Sequence, residues 1–216
     1  MTQVDLHETA RTRARYQRIS RIYDLMEILP ERRYASWRKR LWALVEGTQV
    51  LEVGVGTGKN IPYYPSEMSI RAIDLTPGML ARAQARACAL EKDVDFCLGD
   101  VQALEFPENT FNAAVATFVF CSVPDPVLGL RELKRVLKPG GQALLLDHVR
   151  STNAVMGAFM DVLDPLVVRL MGPHINRRTV ENVQKAGLTV EHVEDMGMGG
   201  IFKLIQARKE LKPNAT

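Results

Sequence analysis

Residues Val50-Leu51-Glu52-Val53-Gly54-Val55-Gly56-Thr57-Gly58 run a short apolar strand directly into a turn with glycine at every second position. Positions without a side chain let backbone wrap closely around a ligand or press against a neighbouring element. Whatever this chain folds into must present that turn at the end of a strand.

The surroundings supply the rest of the architecture. After Gly47, β-rich runs alternate with helix-length segments, each bounded by Gly, Pro, Asp or Asn. The runs at Gln49–Val53, Ile70–Ile73, Val94–Leu98, Ala113–Val119 and Gln142–Leu146 are continuously apolar, as parallel strands buried on both faces are. Pro77–Glu91 reads as a helix with proline in its first turn. Asp125–Leu137 reads as another, capped by Asp125 and stopped by Pro139-Gly140-Gly141. Asn153–Met171 is an apolar helical stretch that Pro165 should bend or break, serving either as a lid or as core packing. Arg177–Ala186 is a further helix stopped by Gly187. Leu188–Val193 and Ile201–Ala207, joined by Met196-Gly197-Met198-Gly199-Gly200, form an antiparallel hairpin. The expected fold is α/β: a doubly wound, mostly parallel sheet with a C-terminal antiparallel hairpin. Residues 47–208 make one domain, and 209–216 a frayed polar tail.

Residues 1–46 form a helical extension. From Ala10 to Met26, Tyr16, Ile19, Ile22, Tyr23 and Met26 recur at helical spacing. Pro30 should end that helix, and a second runs from Arg33 to Val45, ending at Gly47. The first 45 residues hold ten Arg or Lys against five Asp or Glu, in a chain whose net charge is +3. Such a front is either a solvated helix face or a contact for an anionic surface such as lipid headgroups, the extension then acting as a lid or a membrane contact. The basic residues are not interleaved with an aromatic stacking platform, which argues against nucleic acid. Cys88, Cys97 and Cys121 match no zinc or redox spacing and read as free thiols, so no metal is expected. Charges interrupt Met1–Ile28, and no apolar run reaches the ~20 residues of a membrane span. The expectation is a cytoplasmic protein able to touch a membrane peripherally.

Four features fall at predicted strand ends, where open α/β sheets bind ligands. They are the glycine turn with Glu52 upstream, Asp74 twenty residues after Gly54, Gly99-Asp100-Val101, and Phe118–Val123. A carboxylate at Asp74 can accept both hydroxyls of a ribose. For single residues there are plainer alternatives: a ligand-free tight turn at Gly54 and Gly58, a helix-capping carboxylate at Asp74 or Asp100. A dinucleotide fingerprint reads G-x-G-x-x-G, whereas this chain has G-x-G-x-G with an acid two positions before it.

With that motif, Asp74, Gly99-Asp100 and Arg135-Val136-Leu137-Lys138-Pro139-Gly140-Gly141 in order, the chain from Tyr16 to Arg208 resembles the Rossmann-like (class I) S-adenosylmethionine-dependent methyltransferases. Within them, Ile22-Tyr23-Asp24, Phe118–Pro126 and Asn176-Arg177-Arg178-Thr179 are similar to the branch containing ubiquinone/menaquinone C-methyltransferases and bacterial phospholipid N-methyltransferases. The resemblance implies S-adenosylmethionine as cofactor, with Gly54, Gly56 and Gly58 facing its methionine part, Asp74 on its ribose, Leu75 on its adenine, Asp100 and Val101 at the adenine amino edge, and Glu52 and Phe118 beside them. Asn60 either caps the next helix or reaches the cofactor carboxylate. Tyr23 either closes over the cofactor or handles a proton. Asp147 and His148, at the end of the fifth strand, are the other candidates to take a proton from the acceptor. Arg177 and Arg178 offer a fork for a lipid phosphate, or simple surface charge.

The expected function is methyl transfer to an apolar, membrane-associated acceptor, first phosphatidylethanolamine. The alternatives are a quinone ring carbon and a small thiol.

Overall fold

The computed structural model describes residues 4–26, 28–170, 172–197 and 199–211. Three helices lead: α1 (Leu6–Ile19), α2 (Tyr23–Met26) and α3 (Ile28–Trp42). There follow β1 (Gln49–Val53), β2 (Ser69–Asp74), α4 (Pro77–Ala89), β3 (Asp95–Leu98), β4 (Phe111–Thr117), α5 (Pro126–Val136), β5 (Leu137–His148), α6 (Ala154–Leu170), α7 (Thr179–Lys185), β6 (Thr189–Asp195) and β7 (Phe202–Arg208). Seven strands form one sheet in the order β3-β2-β1-β4-β5-β7-β6. The strands from β1 to β5 pair in parallel, and β7 runs antiparallel to both β5 and β6. This is the doubly wound sheet with its hairpin, and the strand order reverses between β1 and β4, where such folds bind ligands.

Each face of the sheet carries its own core. On β5, Ala143 and Leu145 join one apolar cluster with Leu51, Val53, Leu130 and Leu133. Leu144 and Leu146 join the other with Trp37, Leu41 and Trp42. Alternate side chains are therefore both buried, which is why the run reads as continuously apolar.

Several boundaries differ from the sequence expectation, each for a local reason. The front helix does not continue to Met26: it stops at Ile19, where the Ser20 hydroxyl donates to the Gln17 carbonyl (2.9 Å) and competes with the helical ladder. The Gln17 side chain in turn accepts from the Gly78 N–H at the start of α4 (2.9 Å). Pro30 does not end a helix but sits in the first turn of α3, where its missing N–H has no intrahelical partner to lose. β3 is a half-exposed edge strand instead of a buried one, since β2 is its partner and the sheet ends there. Pro139-Gly140-Gly141 lies inside β5, as an irregularity opposite Phe111–Ala113, and α5 has already ended at Val136. Pro165 does not break α6. In the supposed tail, Lys209 is anchored, its Nζ donating to Asn109 Oδ1 (2.8 Å) and the Leu137 carbonyl (2.6 Å). Asp125 caps α5 as expected, accepting from the Leu128 N–H (2.9 Å). Met171, Met198 and residues 212–216 of the expected elements lie outside the described residues, as does the Met26 side chain.

Candidate active site

β1 is held in register between β2 and β4, so its C-terminal turn emerges at the middle of the sheet's carboxyl edge. All three glycines adopt left-handed φ, +64° at Gly54, +57° at Gly56 and +79° at Gly58, a region that strains residues with a Cβ. Their surroundings separate them. A Cβ on Gly54 would lie 2.6 Å from Val119 Cγ2, and one on Gly58 would lie 2.5 Å from Ile61 Cδ1 and 3.1 Å from Ala83 Cα. A Cβ on Gly56 would meet nothing closer than the Gly54 carbonyl oxygen at 4.0 Å. Gly54 and Gly56 line a cavity, whereas Gly58 does not line it and serves turn packing.

The cavity collects the strand ends: Asp74 and Leu75 after β2, Asp100 and Val101 after β3, and Phe118 and Val119 after β4. The Asp74 carboxylate is fastened by backbone, Oδ2 accepting from the Gly56 N–H (2.9 Å) and Oδ1 from the Thr76 N–H (2.8 Å). Burial pushes its carboxyl up, against the pull of those two bonds. Asp100 accepts from the Gln102 N–H (2.9 Å) and amide, and from Thr9 of α1 (3.4 Å). Phe118 holds a positive φ of 58°, with its N–H donated to the Leu146 carbonyl (2.7 Å).

Beside the turn lies a polar network that is buried almost completely, and four of its members, Arg38, Glu52, Asn60 and Thr117, line the same cavity. Glu52, 1% exposed, accepts from the Tyr64 hydroxyl and from Asn60 Nδ2 (2.7 Å). The second Asn60 N–H goes to Thr117 Oγ1 (3.0 Å), and Asn60 Oδ1 accepts from Arg38 Nη1 (3.0 Å). Asn60 therefore makes no helix cap, and both its amide protons are taken. Arg38, on α3, also pairs with Glu31 (3.1 Å) and lies 5.5 Å from the Phe118 ring centroid. Sequence reading missed Arg38. Its signal is a cation three and four residues before Leu41 and Trp42, on the buried stripe of an otherwise ordinary helix.

Burial raises the Glu52 carboxyl to about 7, opposed by the bonds from Tyr64 and Asn60 and by the Arg38 charge. The folded protein then keeps a proton that the unfolded chain releases above its ordinary 4.5, so this group's contribution to stability falls as pH rises through that window. The total is on the order of 3 kcal/mol. Thermal unfolding of Glu52→Gln beside the parent protein should show the parent losing melting temperature relative to the variant between about pH 5 and 8; parallel curves would mean that Glu52 is already ionised at the acid end.

The front helices close over the cavity. Thr12, Tyr16 and Tyr23 line it, and the Tyr16 hydroxyl is 2.5 Å from Ser122 Oγ on the opposite wall. Asp24 is the latch: Oδ1 accepts from Thr57 (2.7 Å) with Lys59 at 3.4 Å, and Oδ2 pairs with Arg82 (2.9 Å) and Arg86 (3.0 Å). Burial alone would raise the Asp24 carboxyl, but the bonds from Thr57 and Arg82 and the neighbouring cations outweigh it and hold it at about 2. α2 is thereby tied both to the glycine turn and to α4.

Other expected site residues lie elsewhere. Asp147 and His148 do not line the cavity. Asp147 is 1% exposed and accepts from the His148 N–H (3.0 Å) and Thr179 (3.4 Å), while His148 Nε2 is 2.8 Å from the His174 carbonyl oxygen. β5 carries both beyond the edge of the cavity, beneath the segment that follows α6. Nor do the two arginines make a fork. Arg177 turns inward and donates to the Val123 carbonyl (2.9 Å), whereas exposed Arg178, just before α7, pairs with Glu181 in that helix's first turn (3.2 Å). Among the described residues, Cys121, Asp147 and His148 form a cluster of metal-ligand type. Burial holds the Cys121 thiol well above its ordinary pKa, and Arg177 already lies in its field, so this cluster is a poor cation site.

A family described as a methyltransferase domain matches residues 51–145, from the first strand through the fifth. The chain is 30% identical over 165 residues to a phosphatidylethanolamine N-methyltransferase of Cereibacter sphaeroides, covering 76% of this chain and 81% of that one. It is 34% identical over 139 residues to a demethylmenaquinone methyltransferase of Renibacterium salmoninarum, covering 64% and 55%. In structure it is similar to an S-adenosylmethionine-dependent methyltransferase from Thermotoga maritima, with a TM-score of 0.69 and 20% identity over 90% of this chain and 98% of the other. That last likeness concerns the fold alone, but the first relative carries it into sequence: the chain belongs to the Rossmann-like, class I methyltransferases that use S-adenosylmethionine, in the branch shared by phospholipid and menaquinone methyltransferases.

Proposed function

We propose that this methyltransferase N-methylates phosphatidylethanolamine at a membrane surface. The observation that carries the reading is the match to a phosphatidylethanolamine N-methyltransferase along four fifths of that protein's length. The basic front of the chain, with its excess of five positive charges in residues 1–45, suits an acceptor embedded among anionic headgroups.

The cavity fits the cofactor. Gly56 leaves free the volume that a Cβ would fill, and one carboxylate stands at the end of each of the two strands beyond β1. Asp74 would take the ribose hydroxyls, using the lone pairs that its backbone bonds leave over. Leu75 would pack on adenine, Asp100 and Val101 would meet its amino edge, and Gly54 and Gly56 would follow the methionine part. Glu52 and Asn60, which line the cavity beside the turn, would hold its shape around the cofactor, and residues 1–46 act as a lid on the domain of residues 47–208. When bound, S-adenosylmethionine supplies a methyl group already activated on a sulfonium, and what remains for the protein is in-line positioning, for which effective molarity contributes about 7–11 kcal/mol.

An amine must arrive without its extra proton to act as nucleophile. Of Tyr23, Asp147 and His148, Tyr23 lines the cavity, and in this reading it closes the site while bordering the acceptor nitrogen's path. The second reading, a quinone ring carbon, is favoured by the 34% identity to the menaquinone enzyme and needs no amine deprotonation.

Purified enzyme with labelled S-adenosylmethionine and phosphatidylethanolamine vesicles should yield N-methylated lipid, read by mass spectrometry. No turnover there, with turnover of a demethylated menaquinone, would exchange the first reading for the second.

A further inference from the structure

The cavity wall carries three carboxylates, Glu52, Asp74 and Asp100, and two cations, Arg38 and Lys59. Asp74 accepts from the Gly56 and Thr76 N–H groups, and Asp100 from the Gln102 N–H. A backbone N–H can only donate. Glu52 is held differently: it is buried, and its bonds come from two neutral side chains, the Tyr64 hydroxyl on Oε2 and Asn60 Nδ2 on Oε1 (2.7 Å). A hydroxyl accepts as readily as it donates, so the Tyr64 side suits a protonated carboxyl and a carboxylate alike.

The wall's two cations are bonded elsewhere. Arg38 donates to Asn60 Oδ1 (3.0 Å) and pairs with Glu31 (3.1 Å), and Lys59 pairs with Asp24 (3.4 Å). Of the groups that face Glu52, Tyr64 and Asn60 from the segment after β1 and Arg38 from α3 favour its ionised form, while Asp74 at the end of β2 opposes it. Thr117 of β4 meets it through Asn60. Burial outweighs the favourable groups and leaves the carboxyl at about 7, so one more positive charge in the cavity tips it toward carboxylate.

The two forms of the cofactor differ by one such charge. S-adenosylmethionine carries a sulfonium, whereas the sulfur of S-adenosylhomocysteine is a neutral thioether. We propose that Glu52 is a proton-linked counter-charge that distinguishes methyl donor from product, releasing its proton to solvent when the donor binds and recovering one when the sulfur is neutral. The balance closes: the site gains one negative charge against the donor's one extra positive charge, and methyl transfer removes that positive charge from the sulfur. Linkage gives the sign. A ligand that favours the carboxylate binds more tightly as pH rises through the range where the free protein loses that proton, so preference for donor over product grows across that range. Product inhibition is relieved with it. The inference rests on the cofactor and is the same for an amine or a quinone acceptor.

The test is calorimetry of S-adenosylmethionine and of S-adenosylhomocysteine on the full chain between about pH 6 and 8, in buffers of different ionisation enthalpy so that released protons are counted. Each quantity is read as parent minus Glu52→Gln, which cancels ionisation of the ligands' own amines. Near pH 7 the donor should release about half a proton more than the product does, and its preference should grow by up to about tenfold for each pH unit by which it lowers the Glu52 titration. Tyr64→Phe removes a bond that favours the ionised form and should move the same window to higher pH. Glutamine keeps an oxygen for Asn60, and an unchanged melting temperature at pH 6 will show that the variant is folded; should it not fold, the shift in Tyr64→Phe decides alone. Equal proton release by donor and product, a window that Tyr64→Phe leaves in place, or a pH dependence that survives Glu52→Gln and disappears in Asp74→Asn would each overturn the proposal.

Discussion

Asp74→Ala should weaken S-adenosylhomocysteine binding by on the order of 3 kcal/mol, about a hundredfold in dissociation constant, when measured by calorimetry. The expected loss exceeds that of one ligand contact because the side chain does two things. It offers its remaining lone pairs to the cavity, and it holds the glycine turn by accepting from the Gly56 and Thr76 N–H groups. Alanine abolishes both functions and leaves two backbone donors without their acceptor. Asp74→Asn keeps one carbonyl oxygen but sets an amide N–H against a backbone N–H, so its affinity should fall between the two. Unchanged affinity in the alanine variant would remove Asp74 from the cofactor site, whatever happened to stability.

Arg38→Met should lower stability by about 3 kcal/mol, since breaking a buried, hydrogen-bonded charge network leaves its partners uncompensated. For a chain of this length that is a fall of about 6–12 °C in melting temperature. Arg38 is 5% exposed, and its removal leaves Asn60 Oδ1 and Glu31 without their shared donor and Glu52 without its nearby cation. Methionine preserves much of the apolar stem, so the loss reports on the network rather than on volume. Arg38→Lys should recover little, because a single ammonium cannot satisfy Glu31 and Asn60 from one fork. A melting temperature within a degree or two of the parent would mean that the network closes through water.

The two variants bear on features that differ in how readable they were. Asp74 was legible because its position depends on local order alone: an apolar run ends, a carboxylate follows, and the spacing from Gly54 matches one strand-and-return. Gly54 and Gly56 were legible for the same reason. Gly58 was not distinguished from them, because its neighbours Ile61 and Ala83 lie in different elements and only their packing shows that this glycine admits no side chain. Arg38, Thr12 and Tyr16 belong to helices that precede the motif, and nothing in their own periodicity says which part of the sheet they will cover. Asp147 and His148 show the converse failure. A strand end does point to the ligand edge, but β5 is far enough along the sheet, and His174 close enough above it, that both side chains are taken up by structure.

The sequence by itself determined the fold class and set the glycine turn and two carboxylates at strand ends, because strand periodicity and glycine spacing are local properties of the chain, while the methyl donor followed from the family resemblance that those motifs carry. Tertiary structure decided which face of each helix is covered. α3 turns Arg38 inward to meet Asn60, while α6 turns Val155, Phe159, Val162 and Leu166 outward and Asp164 inward, its Oδ2 lying 2.7 Å from His174 Nδ1. Hydrophobicity along a helix specifies a stripe, but its direction is set by the partners that polar side chains find across the fold; here those partners are residues 22 and ten positions away in the chain.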